Sequence, residues 1–116
     1  MNGIDNAKLI YARQKALQTA LGMNIPSVVN MYNSATAAIV EIGEMLQEDT
    51  RWKKEVTGST REPRYNIDNF KEEFADVAIY LTNVLIYAGI SVDEIMEVID
   101  KKITKNCKRL LGDNYD

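Results

Sequence analysis

The sequence predicts a small all-α protein with a four-helix, bundle-like architecture, folded as a single domain over residues 1–116. Apolar residues recur at three- and four-residue steps along most of the chain, and no segment shows the alternation that is typical of a strand. The composition, 46% hydrophobic and 27% charged, is that of a folded globule. Each predicted helix carries only a narrow apolar stripe, which predicts that copies of the chain assemble into an oligomer.

The first two predicted helices are separated by a short segment that contains a glycine and a proline. The first is expected over roughly residues 5–21, and Gly22 is a suitable stop. Pro26 suits the first turn of the second helix, where a missing N–H removes no helical hydrogen bond. The second helix is expected to run to about residue 47 or 48.

A long connection precedes the last two predicted helices. Residues 49–66 contain a Thr-Gly-Ser-Thr run and a proline, which predict a long loop in which a short helical turn can form. The third helix is expected from Asp68, as its cap, to about residue 88, before a glycine. Ser91 and Glu94 predict a capping box for the fourth helix, which should end near residue 110.

The composition excludes several classes of site and partner. The chain has no histidine and a single cysteine, Cys107, so His general bases, His- or multi-Cys zinc sites and an internal disulfide are ruled out. The net charge of −3 lacks the basic footprint of a protein that binds polymeric nucleic acid. The first residues do not resemble a signal peptide, and no apolar run reaches the roughly 18 residues of a membrane span. We therefore expect a cytoplasmic protein with no membrane partner.

Two acidic pairs are the main candidate for a functional site. Glu41 and Glu44 stand three residues apart on the second predicted helix, and Glu73 and Asp76 repeat that spacing on the third. Residues at this spacing share one helix face, where like charges destabilise an isolated helix unless something offsets them. Either pair alone is explained by a solvated acidic face. Two pairs beside apolar positions indicate an oxygen-only site for a hard cation such as Mg²⁺ or Mn²⁺.

These motifs and their surroundings resemble the all-α nucleoside triphosphate pyrophosphohydrolases, that is, the MazG-like proteins and the related dimeric dUTPases. The family pattern is Glu-x-x-Glu, a variable spacer and Glu-x-x-Asp, which here reads Glu41-Ile42-Gly43-Glu44, 28 residues and Glu73-Phe74-Ala75-Asp76. Residues 72–81 look like the family's second motif, and residues 89–91 with the following helix look like its C-terminal section. The resemblance covers roughly residues 28–110 and implies an oligomeric MazG-type fold.

The resemblance implies an Mg²⁺-dependent hydrolysis of a nucleoside triphosphate between its α and β phosphates, with Mn²⁺ as an alternative cation. The products would be a nucleoside monophosphate and pyrophosphate, as in nucleotide-pool housekeeping. By position, the metal ligands would be Glu41, Glu44, Glu73 and Asp76. A carboxylate that is not fully engaged with the metal can take the proton of the attacking water, and Glu44 and Glu48 are the candidates.

Positive side chains are then expected around the triphosphate. Candidates are Lys53 and Lys54 in the connection, and Lys102, Asn106 and Arg109 along one side of the fourth helix. The helix residues also have a simpler explanation, because cations near a helix C-terminus complement its dipole.

Contacts with the base or sugar are expected from a second group of side chains. Trp52 can stack on a base, although packing is the commoner use of a lone tryptophan. Asn83, with Tyr80 one turn before it, is a candidate because an amide facing a helical core needs a partner. Gln14 and Gln18 on the first helix are further candidates for reading a base edge. Compact members of the family look like dimers or tetramers, so the resemblance also implies a homodimer or homotetramer.

A non-enzymatic alternative stays open at this point. In that alternative the chain is a helical binding or assembly module, whose acidic face binds metal or contacts a partner chain without catalysis. The two hypotheses differ in one observable, because only the enzyme releases pyrophosphate from a nucleotide.

Overall fold

A computed structural model describes residues 2–112 and confirms an all-α chain. The described part contains five helices: α1 (Gly3–Ala20), α2 (Val28–Gln47), α3 (Arg51–Thr57), α4 (Ile67–Ala88) and α5 (Val92–Leu111). The predicted number of four is wrong, because the connection contains a helix of its own. Helix α3 has no glycine or proline until Gly58, which ends it in a left-handed conformation with a φ of 70°.

Side-chain caps define the start of four of these helices. Asn2, Ser27, Asn66 and Ser91 each accept a hydrogen bond from a backbone amide in the first turn. The predicted capping box of Ser91 with Glu94 is confirmed, since both reciprocal hydrogen bonds are present.

Two predicted helix starts are wrong by one or two residues. Pro26 lies before α2 and not in its first turn, because Ser27 is the cap. Asp68 is not the cap of α4, because the side-chain oxygen of Asn66 accepts the hydrogen bond of the Asn69 amide at 3.1 Å. Asp68 instead lies in the first turn, where its negative charge complements the helix dipole.

Helices α2 and α4 form the centre of the fold and run antiparallel. The amide of Ser27, just before α2, donates to the carbonyl of Tyr87 near the end of α4 at 3.1 Å. At the other end, the amide of Asn66, just before α4, donates to the carbonyl of Glu48 after α2 at 2.9 Å. Helix α1 packs against α4 and α5.

The connection between α2 and α4 folds back on itself. Asp49 and Tyr65 form an isolated antiparallel bridge, and the amide of Thr50 donates to the carbonyl of Arg64 at 2.7 Å. Some backbone N–H and C=O groups of the connection are therefore paired with one another. Both of its ends consequently lie beside the C-terminal end of α2.

The core of a single chain is small, and much apolar surface is exposed. Among the described residues, the buried hydrophobic side chains are Ala38, Val77, Ile86, Tyr87 and Val92. Large hydrophobic side chains are exposed on all five of the helices described above. The radius of gyration is 17.8 Å, whereas a compact chain of about this length has a value of about 13 Å. One copy of the chain is therefore packed much more openly than an ordinary monomeric domain.

The turn between α4 and α5 is sharp. Gly89 ends α4, as the sequence predicted, and adopts a left-handed φ of 73°. The direction of the chain changes by 111° between the two helices. Within residues 2–112, no single helix has the length and apolar content of a membrane-spanning helix. Helices α4 and α5 reach that content only when they are counted together across this turn.

Candidate metal centre

Helices α2 and α4 bring three carboxylates together on their shared face. One oxygen from each of Glu41, Glu73 and Asp76 lies within 4.8 Å of the other two. Glu73 and Asp76 are one turn apart on α4, and the antiparallel packing places Glu41 of α2 beside them. Glu41 and Glu73 are half-buried, and Asp76 is exposed. The structure thus joins three of the four predicted metal ligands into one group, here called the acidic cluster.

The acidic cluster contains polar atoms that lack a partner. Oε2 of Glu41 and Oε2 of Glu73 are both shielded from solvent, and neither has a hydrogen-bond partner in the described part of the chain. Such atoms are rare in folded proteins and need an explanation. A divalent cation between them would satisfy both oxygens and remove the repulsion between the carboxylates. The oxygen-only donor set fits Mg²⁺ or Mn²⁺.

Burial and the proximity of like charges raise the pKa of one member of the cluster. The pKa of Glu41 is raised from 4.5 to about 7, first by burial of the carboxyl and then by contact with the Glu73 side chain. The charge and contact of Glu44, and the charge of Asp76, raise it further. Half or more of the Glu41 side chains therefore hold a proton at pH values below about 7.

Glu44 and Glu48 lie outside the acidic cluster, at different distances along α2. Glu44 is near enough to Glu41 to raise its pKa, but its carboxylate is not among the three converging oxygens. Glu48 lies at the end of α2, where its Oε2 accepts a hydrogen bond from Nδ2 of Asn69 at 3.4 Å. Their roles as ligand or proton acceptor stay predictions, and Glu44 is the better placed of the two.

We expect Mg²⁺ to bind more tightly as the pH rises through the pKa of Glu41. Below about 7 a cation has to displace the proton of this carboxyl, so affinity should rise by up to about tenfold per pH unit and then level off. Titration calorimetry in two buffers of different ionisation enthalpy measures both the affinity and the proton released. An affinity that is constant across this range would contradict binding at the acidic cluster.

The raised pKa of Glu41 also determines how the stability of the metal-free protein changes with pH. From about pH 4.5 to 7 the folded chain holds a proton that the unfolded chain has already released. The contribution of Glu41 to stability is therefore present at low pH and is lost as the pH rises through this window.

The connection brings further predicted residues to the end of α2. The indole N–H of Trp52 donates to the carbonyl of Leu46 at 2.9 Å, so this side chain holds the connection against α2. A stacking role for Trp52 stays a prediction. Lys53 is half-buried and lines a cavity of about 260 Å³, whereas Lys54 is exposed.

Two arginines that the sequence reasoning missed line the same cavity as Lys53. They are Arg61 and Arg64, and Arg64 also donates to the carbonyl of Gln47 at the end of α2. The available signal was a pair of arginines on either side of Glu62 and Pro63, in a segment identified only as a loop. Three cationic side chains around one cavity can hold phosphate oxygens.

Helix α5 lies away from the acidic cluster of its own chain. Within the described residues it contacts α1 but neither α2 nor α3. Lys102, Asn106 and Arg109 begin about 15 Å along this helix from its first residue, Val92. The structure does not join these predicted substrate contacts to the acidic cluster within one chain, and their role stays a prediction.

Asn83 lies on α4 at a polar cavity beyond the acidic cluster. The cavity has a volume of about 200 Å³, and its lining includes Gln18, Asn30, Asn33, Ser34 and Tyr87 besides Asn83 itself. Asn83 is only 5% exposed, and its Oδ1 has no hydrogen-bond partner among the described residues. A buried acceptor without a partner lowers the stability of the folded state by about 1–3 kcal/mol, so a hydrogen-bond donor in this cavity would stabilise the protein.

Sequence reasoning identified part of this lining. Asn83 and Gln18 were predicted as contacts of the base or sugar, but Asn30 and Asn33 were not. The sequence alone does not show whether an amide on a helix faces a cavity or solvent. Gln14 lies elsewhere, on an apolar cavity of about 710 Å³ between α1, α4 and α5.

No known protein family, curated protein or solved structure matches the chain. The resemblance to the MazG-like proteins therefore rests on the two acidic motifs and the residues around them.

Proposed function

We propose that the protein is a metal-dependent nucleoside triphosphate pyrophosphohydrolase, which converts a ribo- or deoxynucleoside triphosphate to the monophosphate and pyrophosphate. The observation that carries this proposal is the pair of solvent-shielded, unpartnered oxygens of Glu41 and Glu73, with Asp76 beside them. Like charges held this close, with two of their oxygens shielded from solvent, repel one another unless a cation offsets them. The type of reaction proposed is the one implied by the resemblance of the two acidic motifs to the MazG-like pyrophosphohydrolases.

The residues near the cluster suit this chemistry. A cation held there by Glu41, Glu73 and Asp76 would supply charge neutralisation for the phosphate oxygens and a lowered pKa for the attacking water. Glu44, which lies beside Glu41 but outside the converging oxygens, would accept the proton of that water. The water oxygen bonds to the α-phosphorus, the bond to the α–β bridging oxygen breaks, and pyrophosphate leaves. Lys53, with the arginines of its cavity at the end of α2, supports the proposal by offering positive charge for phosphate oxygens.

We further propose that the protein works as a homodimer or homotetramer. The small core, the apolar side chains exposed on every described helix and the radius of gyration of 17.8 Å support this, because a second copy would cover apolar surface. Sedimentation equilibrium at micromolar concentration should give two or four times the chain mass of 13.1 kDa. The thermal midpoint should also rise with protein concentration. A mass of one chain at all concentrations would contradict the proposal.

The test of the catalytic proposal is a panel of ribo- and deoxynucleoside triphosphates with Mg²⁺ or Mn²⁺, scored separately for pyrophosphate and orthophosphate. Equal amounts of monophosphate and pyrophosphate are expected. Orthophosphate alone would contradict cleavage between the α and β phosphates. Metal binding that depends on the acidic cluster, without any product, would favour the non-catalytic binding module instead.

A further inference from the structure

The polar cavity at Asn83 and the acidic cluster lie on the same face of the α2–α4 pair. Asn83 follows Asp76 by seven residues on α4, and Ser34 precedes Glu41 by seven residues on α2. Seven residues are close to two full turns, so both positions on each helix face the same way. The rise of about 1.5 Å per residue separates the two sites by about 10 Å along the helices.

Among the described residues that line the cavity, one fully buried polar atom has no hydrogen-bond partner. The other amides and hydroxyls near it are engaged in part: the Tyr87 hydroxyl donates to Oε1 of Gln18, and Nδ2 of Asn30 donates to the carbonyl of Asn24. Oδ1 of Asn83 has no such partner among the described residues, although the residue is 95% buried, with a relative exposure of 5%. This oxygen is a hydrogen-bond acceptor that is free to receive a donor from a bound molecule.

The shape and lining of the cavity indicate what that molecule is. Its volume of about 200 Å³ is below the roughly 300 Å³ at which pockets for whole drug-sized ligands begin, so it suits one planar ring system. The half-buried Tyr80 offers an aromatic surface, and the amides offer both donors and acceptors. A ligand with a polyanionic group at the acidic cluster and a polar planar ring about 10 Å away has the layout of a nucleotide.

We infer that the cavity binds the base of the nucleotide, with Oδ1 of Asn83 accepting a hydrogen bond from an N–H on the edge of that base. This inference rests on the proposed function for its ligand class, but the cavity is separate from the acidic cluster. Base selection would then be made by α2, α4 and the end of α1, without any contribution from the metal site. Asn83 is a specificity-determining residue in this arrangement and takes no part in the bond cleavage.

The experiment uses nucleosides without phosphate and without metal, so that it probes the cavity alone. Cytidine, uridine, adenosine and guanosine are titrated into the isotope-labelled full chain, and the amide resonances of Ser34, Asn83 and Tyr87 are followed by NMR. At least one nucleoside should shift these resonances in a saturable manner. Asn83→Leu, which keeps the size of the side chain, should weaken that binding by about tenfold or more, the value of one hydrogen bond to a buried acceptor.

The matched control is Asn6→Leu, the same exchange at an exposed position of α1. It should bind the nucleoside as the parent chain does. A base analogue that lacks or blocks the edge N–H, such as purine riboside for adenosine or 3-methyluridine for uridine, tests the same hydrogen bond from the ligand side. Its effect and that of Asn83→Leu should not add, since both remove one interaction.

Two results would overturn the inference: no nucleoside perturbs the cavity resonances, or Asn83→Leu and Asn6→Leu bind equally well. Thermal unfolding of both variants shows that a loss of binding is not a loss of folding, because Asn83→Leu should not lower the thermal midpoint. The proposed function fails independently, when the parent chain binds a nucleoside but releases no pyrophosphate from its triphosphate. Release of pyrophosphate by a chain whose cavity does not respond to nucleosides contradicts only the base site.

Discussion

Replacing Glu41 or Glu73 by glutamine is expected to lower the rate of pyrophosphate release by about three orders of magnitude. Each exchange removes a negative charge from the acidic cluster but keeps the size of the side chain, so the cation loses a ligand. A catalytic metal contributes several kcal/mol to the transition state, and about 1.4 kcal/mol corresponds to a factor of ten in rate. The measurement is the initial rate of pyrophosphate release at saturating Mg²⁺, together with the Mg²⁺ affinity from calorimetry.

The control for this prediction is Glu97→Gln, the same exchange at an exposed position of α5. Glu97 pairs with Lys101 at 2.8 Å, four residues further on, and such surface pairs contribute little to stability. Its activity should equal that of the parent chain. Metal-free Glu41→Gln should be no less stable than the parent chain near neutral pH, because the exchange removes a like charge from the cluster. If both cluster variants kept full activity, the cation would have to bind elsewhere.

Much of the fold could be predicted because its helices are encoded locally. The capping box at Ser91, the glycine after α4 and the apolar spacing within each helix are all short-range signals. The misplaced starts at Pro26 and Asp68 also have a local cause, since a capping side chain lies within two residues of each, Ser27 after Pro26 and Asn66 before Asp68. The position of α5 was not predictable, because no residue spacing encodes the 111° angle between α4 and α5 or the contact of α5 with α1.

The candidate site shows the same division between local and long-range information. The spacing of Glu41, Glu73 and Asp76 predicted which residues share a helix face, and the antiparallel packing of α2 on α4 brings them together. The role of Arg64 in the connection depends on how residues 49–66 fold back, which the sequence does not encode in any spacing. Likewise, Asn30 became notable only when the structure placed it on the cavity of Asn83.

Replacing Ile86 by alanine is expected to cost about 2–5 kcal/mol of the free energy of unfolding. Ile86 is only 1% exposed and is the most deeply buried large side chain in the described part of the chain. The core of one copy is so small that neighbouring side chains have little other apolar surface to fill the resulting cavity. Because typical domains have only about 5–15 kcal/mol of stability, this one exchange should unfold a sizeable fraction of the protein near physiological temperature. Urea unfolding followed by circular dichroism measures the loss.

Ile39→Ala is the matched control, because Ile39 lies on the central helix α2 but is 70% exposed. At protein concentrations low enough to give single chains, this exchange should change stability by no more than about 0.5 kcal/mol. If α2 is covered by a second copy, the cost of Ile39→Ala should grow with protein concentration, since assembly then contributes to the measured stability. The cost of Ile86→Ala, by contrast, should be present at every concentration, because its contacts lie within one chain. Equal costs for the two exchanges at low concentration would contradict the placement of the core between α2 and α4.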